Sequence, residues 1–184
     1  DLIRQKIKES VALDSDQVKY MACSRLSPQK DIPTMLKAFA LVRETVPNAI
    51  LYLIGKPDSE EYGMSLKSLT CSLGISEFVK FVGFQANPYK YLKYADVFVL
   101  SSIYEGLPNV MLEAMYLGKP VAVTACIPYI SQVVRPGVNG YLAPVGDSNA
   151  LAKAMTEAKD IKGLSQYGDI NDSEKLIVKT FKKL

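Results

Sequence analysis

The sequence predicts an α/β fold built on a doubly wound parallel sheet, and three observations carry that prediction. Short apolar runs recur along the chain, several of them are nearly unbroken in Val, Ile, Leu and Phe, and segments with helical spacing separate them. A strand covered by helices on both faces needs the unbroken pattern, whereas a half-exposed strand alternates. Strand and helix in regular succession give right-handed βαβ units.

Taken in order, the expected strands are Val18 to Ser24, Ile50 to Gly55, Val79 to Gly83, Val97 to Ser101, Val121 to Thr124 and a weaker Tyr141 to Ala143. The helical segments between them are Thr34 to Glu44, Met64 to Leu73, Pro88 to Tyr94, Asn109 to Leu117 and Ala150 to Ala158; in the first, Leu36, Phe39, Ala40 and Val42 form the apolar stripe. Gly74 and Gly118 follow helical runs where a left-handed residue ends a helix, and Gly55 and Gly83 end strands. No repeat or linker interrupts residues 17–160, which are read as one domain. Residues 1–16 are read as a lead-in to that domain and residues 161–184 as a helical tail. In the tail, Leu176, Ile177, Phe181 and Leu184 fall near one face, with Lys175, Lys179, Lys182 and Lys183 around it. Such a helix suits docking on another domain or peripheral contact with an anionic membrane.

Composition removes several classes of function. With 48% hydrophobic and 22% charged residues in 184, most of the chain is folded, and a net charge of +3 carries no nucleic-acid footprint. The longest apolar stretches, such as Ala49 to Ile54, fall far short of the ~20 residues a membrane-spanning helix needs. There is no histidine, and Cys23, Cys71 and Cys126 form no CxxC pair, so Ser-His-Asp catalysis, Cys-His catalysis and the usual zinc sites are excluded within this chain. The thiols fall mostly in apolar runs and are expected to be buried hydrophobes in a reducing, cytoplasmic setting. The charged opening Asp1 to Lys8 lacks the apolar core of a signal peptide. Because the chain starts without Met, we expect a piece of something longer.

In an open parallel sheet, ligands bind outside the carboxyl ends of the strands. After the first strand comes Ser24-Arg25-Leu26-Ser27-Pro28-Gln29-Lys30-Asp31, which places two cations just before a helix opening near Pro33. Cations meeting a helix N-terminus make a candidate phosphate site; the plainer alternative is a pair of solvated loop charges. After the fourth strand comes Ser101-Ser102-Ile103-Tyr104-Glu105-Gly106-Leu107-Pro108-Asn109-Val110-Met111-Leu112-Glu113-Ala114-Met115. Pro108 at or near the first helical position is a helix-start signal, and the amides of Gly106, Leu107 and Asn109 are expected to face the crevice. Glu105 in the loop and Glu113 in the early helix then flank an anion site. A ligand with both phosphate and hydroxyls reconciles the two, since a carboxylate repels phosphate but accepts hydrogen bonds from a sugar diol. In the plainer alternative, Glu113 complements the helix dipole and Glu105 is a solvated acid.

The stretch Tyr104 to Met115, followed by Gly118-Lys119-Pro120-Val121, resembles the hallmark of the retaining glycosyltransferases of family 4, the group 1 transferases. There, two glutamates separated by seven residues straddle a Gly-hydrophobic-Pro turn, as Glu105 and Glu113 do here. Ser24-Arg25-Leu26 with Lys30 resembles the family's Gly-Arg-Leu loop and following Lys. Phe81-Val82-Gly83 is similar to its third-strand Gly, and Asn139-Gly140-Tyr141-Leu142 to its Asn-Gly-hydrophobic pair. The resemblance runs from about Tyr20 to Met155.

What the resemblance implies is the C-terminal half of a GT-B fold, a Rossmann-like domain that holds a nucleoside diphosphate sugar, with an N-terminal domain as partner. By carry-over, Arg25 and Lys30 contact the donor diphosphate and offset charge on the leaving nucleotide, without a metal or other cofactor. Glu105 binds the transferred hexose and Glu113 the ribose; Gly106, Leu107, Pro108 and Asn109 meet phosphate or sugar, and Val82, Gly83 and Phe84 form the base region. The implied parent enzyme is a cytoplasmic hexosyltransferase, peripheral at the inner face of the membrane, acting in polysaccharide synthesis. Two departures stand out. Ser24 replaces the usual Gly before the Arg, and Ala125 to Gln132 replaces a Gly-rich loop leading to a Glu. A GT-B sugar-nucleotide 2-epimerase and a non-catalytic α/β interaction module are the alternatives; the Glu-Gly-Leu-Pro-Asn turn favours the transferase. Dinucleotide oxidoreductases and P-loop NTPases are disfavoured, since neither GxGxxG nor GxxxxGK is present.

Overall fold

The computed structural model describes residues 2–162 and 164. In chain order the elements are α1 (Leu2–Lys6), β1 (Val18–Cys23), a single 3₁₀ turn (Pro28–Lys30), α2 (Ile32–Thr45), β2 (Ala49–Ile54), α3 (Glu60–Ser72), a second 3₁₀ turn (Ser76–Phe78), β3 (Val79–Gly83), α4 (Tyr89–Leu92), β4 (Val97–Leu100), α5 (Asn109–Tyr116), β5 (Val121–Thr124), α6 (Pro128–Val133), β6 (Gly140–Ala143) and α7 (Ser148–Ala158). The six strands are parallel in the order β3-β2-β1-β4-β5-β6. Strand order reverses between β1 and β4, so the connections that follow them leave for opposite faces of the sheet, to α2 and to α5, and open a crevice there. The predicted Rossmann-like sheet is the observed one, and all six expected strands are present to within a residue or so at each end.

Alternation along each strand divides the core into two layers. Tyr20, Leu51, Leu53, Val97 and Val99 pack against Leu36 and Phe39 of α2, Leu66 of α3 and Leu151 and Met155 of α7. On the other face, Met21, Ile50, Phe98, Leu100 and Val123 pack against Leu92 of α4, Met111 and Leu112 of α5 and Ile130 of α6. Every residue of β2, β4 and β5 is buried, which is why these runs show no alternation in the sequence. Ile3, Ile7 and Leu13 of the N-terminal segment also pack, half-buried, on the second layer. No helix among the described residues is long and apolar enough to cross a membrane. The expected basic helix Lys175 to Leu184 lies outside the described residues.

Four local differences have physical causes. Helix α3 starts at Glu60, ahead of the expected Met64, because the Ser59 side chain accepts from the Tyr62 amide at 3.1 Å and Glu60 and Glu61 suit the first turn. Helix α6 was not expected: at six residues it is too short to show a stripe, although Pro128 in its first turn marks the start. Helix α1 was likewise not expected from its charged, five-residue sequence. Finally, Cys71 is exposed, not buried, because it lies on the outer face of α3; Cys23 and Cys126 are half-buried, and all three thiols are free. Burial pushes the Cys23 thiol up to about 12.

Gly74 and Gly118 hold φ of 68° and 70° after α3 and α5, as the helix-end reading requires. Gly55 is constrained twice: its φ is 148°, and a Cβ there would lie 1.8 Å from the Ser24 carbonyl oxygen. The ends of β1 and β2 therefore approach in a way only glycine permits. Gly55→Ala is expected to cost about 2–4 kcal/mol, against about 1–2 kcal/mol for Gly74→Ala, whose added methyl meets open space. Urea denaturation of the two variants checks the order.

Candidate functional site

The loop after β1 is tied down before it reaches its cations. Leu26 donates to the Lys56 carbonyl at 2.8 Å and accepts from the Asp58 amide at 2.9 Å, which joins the loop to the segment after β2. The Pro28–Lys30 turn is then held to the loop after β4. The Ile103 amide donates to Gln29 O and the Gln29 side-chain amide donates to Tyr104 O, both at 2.9 Å. The Ser101 hydroxyl reaches Lys30 O at 2.6 Å and Asp31 O at 2.9 Å. Asp31 takes a left-handed conformation, φ 44° and ψ 50°, and its carboxylate accepts from the Thr34 amide at 3.3 Å to cap α2. A left-handed non-glycine residue costs about 1–2 kcal/mol, and the cap and the serine contacts are what hold it.

Lys30 and Glu105, 75 residues apart in the chain, meet in this crevice. Lys30 Nζ lies 2.6 Å from Glu105 Oε1, with side chains 18% and 8% exposed. The Ser102 hydroxyl donates to the same Oε1 at 2.6 Å, and the Thr124 hydroxyl donates to Ser102 O at 2.7 Å. Spacing had suggested a cation for phosphate and a separate carboxylate for sugar; the structure pairs them. An ammonium carries three donors and Glu105 uses one, while Glu105 Oε2 takes no hydrogen bond from the described residues. Arg25 is different: its Nε lies 3.1 Å from Asp58 Oδ1, but its side chain is 71% exposed at the crevice mouth.

The turn before α5 departs from expectation in one respect. Pro108, at φ −79° and ψ 70°, is the centre of an inverse γ-turn in which the Asn109 amide donates to Leu107 O at 2.9 Å. That amide is therefore already partnered and does not face a ligand, and Pro108 precedes the helix instead of opening it. The amides of Gly106, Leu107 and Val110 donate to no described residue.

Two adjoining cavities occupy the crevice. The first, about 310 Å³, is lined by Arg25, Lys30, Glu105, Leu107, Pro108 and Asn109, among others. The second, about 450 Å³, is lined by Arg25, Gly55, Lys56, Phe84, Gln85 and Pro88, and both share Cys23, Ser24 and Val110. Of the expected base region, Phe84 alone lines either of these two cavities, at 66% exposure. Val82 packs against the core because strand alternation turns it inward, and Gly83 uses its carbonyl to accept from the Gly55 amide at 2.9 Å. Gly106 lines neither cavity. Neither does Glu113, half-buried on α5, whose carboxylate is influenced by the Tyr89 hydroxyl and Lys6. Lys56, Gln85 and Ser102 are site residues that the sequence reading missed. Only Ser102 carried a signal, its Ser-x-x-Glu spacing to Glu105. Among the described residues, no group of three or more Cys, Asp or Glu side chains is placed to hold a metal ion.

Burial raises the Glu113 carboxyl above its usual value of 4.5, opposed by the Tyr89 hydroxyl and Lys6. A raised carboxyl binds its proton more tightly in the folded state, so stability falls as pH rises above about 4.5 and the deficit persists at neutral pH. Glu113→Gln is expected to raise Tm at pH 7, with the gain vanishing below pH 4.5; calorimetric melts at the two pH values check it. Lys30→Met leaves Glu105 buried without its counter-charge and is expected to cost about 3 kcal/mol, most of which Lys30→Met/Glu105→Met recovers. A urea-based double-mutant cycle measures both.

Comparison with known proteins places this geometry in a family. The model for glycosyl transferases group 1 matches residues 3–172. The lipopolysaccharide core biosynthesis glycosyltransferase LpsE of Rhizobium meliloti is 34% identical over 143 residues, 78% of this chain and 40% of LpsE. The amylovoran biosynthesis glycosyltransferase AmsK of Erwinia amylovora is 31% identical over 146 residues, 75% of this chain and 35% of AmsK. Among solved structures, Anabaena HepE in complex with UDP-glucose superposes with a TM-score of 0.71 at 26% identity, over 92% of this chain and 50% of HepE. The chain thus spans about half or less of the length of these relatives. With its match to the family model over nearly its whole length, the chain belongs to the group 1 glycosyl transferases.

Proposed function

We propose that this chain is the donor-binding, C-terminal half of a GT-B hexosyltransferase that moves a hexosyl group, with retention, from a nucleoside diphosphate sugar to a glycan or lipid-linked acceptor. The observation that carries this reading is the single crevice in which Arg25, the Lys30–Glu105 pair and Leu107 and Val110, whose amides are open, line adjoining cavities. A diphosphate needs cations and amide donors, and a hexose needs a carboxylate acceptor close to them. Unpaired, that carboxylate would repel the diphosphate. Pairing with Lys30 removes the conflict: the pair is neutral as a unit, Glu105 Oε2 remains an acceptor, and Arg25 with the Leu107 and Val110 amides takes the anion.

In this mechanism the leaving diphosphate gathers negative charge as the glycosidic bond breaks. Arg25 and the two remaining Lys30 donors meet that charge in place, and no metal is called on. Glu105 orients the hexose by accepting from its hydroxyls. Phe84, Lys56 and Gln85 surround the base and ribose. Glu113 follows Val110 by one turn on the same side of α5 and is the residue this reading sets against the ribose.

The relatives named for lipopolysaccharide core and amylovoran biosynthesis support an acceptor in polysaccharide synthesis, and the UDP-glucose complex of HepE makes UDP-hexoses the first donors to test. The longer relatives support a further domain that supplies acceptor contacts. Three free thiols suit a reducing cytoplasm, where the same reading places the enzyme, at the inner face of the membrane.

Calorimetric titration with UDP, GDP and ADP, then with their hexose conjugates, tests the proposal without added metal. One nucleotide is expected to bind, and Arg25→Ala to weaken it about 10- to 100-fold, the loss of one charge-assisted phosphate contact. Silence across all three nucleotides overturns it.

A further inference from the structure

We propose that Ser102 is a positioning residue for the donor sugar: from its buried place just after β4, its hydroxyl holds Glu105 Oε1 so that Oε2 is left as an acceptor for a ligand in the 310 Å³ cavity that Glu105 lines. The inference rests on the reading that Glu105 meets the hexose.

Glu105 has three rotatable bonds and sits on an irregular loop, so a productive orientation must be imposed from outside. Lys30 supplies one contact, but it is a poor anchor. Its ammonium ends a flexible four-carbon stem and lines the same cavity, where an incoming phosphate competes for it. The Ser102 hydroxyl is uncharged and fully buried, so a phosphate can neither attract nor reach it. Its only hydrogen bond among the described residues is the 2.6 Å contact to Glu105 Oε1. The main chain of Ser102 is itself fixed by Thr124, whose fully buried hydroxyl donates to Ser102 O at 2.7 Å.

The two serines that follow β4 thus divide the work. Ser101 reaches the Lys30 and Asp31 carbonyls and sets the main chain of the cation turn, while Ser102 sets the carboxylate that the turn's lysine faces. Because both donors converge on Oε1, the second oxygen is left for a ligand hydroxyl. Ser102 touches no ligand in this arrangement and acts only through Glu105.

Ser102→Ala and Glu105→Gln, each in the whole chain, are titrated with UDP and with UDP-glucose beside the native protein, and their melting temperatures are recorded. The expected result for Ser102→Ala is UDP affinity within about twofold of native and UDP-glucose affinity about tenfold weaker, the size of one hydrogen bond to a charged group. If Glu105→Gln weakens UDP-glucose but Ser102→Ala does not, Ser102 has no positioning role and the reading of Glu105 stands. Equal losses for UDP and UDP-glucose in Ser102→Ala, with a lowered melting temperature, make the serine a structural residue and overturn the proposal. If Glu105→Gln leaves UDP-glucose binding at the native level, or the native chain does not distinguish UDP-glucose from UDP, the Glu105 reading fails and takes this proposal with it.

Discussion

The contact between Lys30 and Glu105 is the constraint on which the rest of the site depends. It joins the loop after β1 to the loop after β4 across the point where strand order reverses. A carboxylate this buried needs a partner, and losing either member leaves the other charge stranded in a poorly solvated place. The main-chain contacts around it, from Gln29 to Tyr104 and from Ser101 to Lys30 and Asp31, lock the two loops together whatever the charges do. The left-handed Asp31 persists because those contacts over-determine it.

Electrostatics and steric constraint act together along the crevice. On one side, the Gly55 position lets β2 end within touching distance of Ser24, which brings Lys56 and Arg25 to the same cavity. On the other, the γ-turn at Pro108 uses the Asn109 amide and turns the chain into α5, leaving the amides on either side open. The result is a site with one neutralised carboxylate, one exposed guanidinium and a set of unpartnered amides. It is suited to a ligand that is anionic at one end and hydroxylated at the other. Membership of the group 1 glycosyl transferases is consistent with such a ligand.

Most of the fold was legible in local pattern. Buried strands such as Val97–Leu100 and Val121–Thr124 announce themselves by unbroken apolar runs, and Gly74 and Gly118 by their place after helical stripes. The chemistry-bearing loops were legible as well, because Pro108 and Gly106 interrupt periodicity in a recognisable way. Less visible was anything set by a single cap or a short element. Ser59 extended α3, and α6 was too short to declare itself.

By itself the sequence determined the strand and helix order, the sheet class, and which two loops carry the cations and carboxylates, since each of these follows from residues within a few positions of one another. Only the tertiary structure decided that Lys30 grips Glu105, that Ser102 supports that grip, that Val82 faces the core and that Glu113 is not among the residues lining the two cavities. Those facts depend on which strands become neighbours and in what register. Periodicity records whether a residue is buried, but a contact between residues 75 positions apart exists only once the sheet has assembled and brought β1 beside β4.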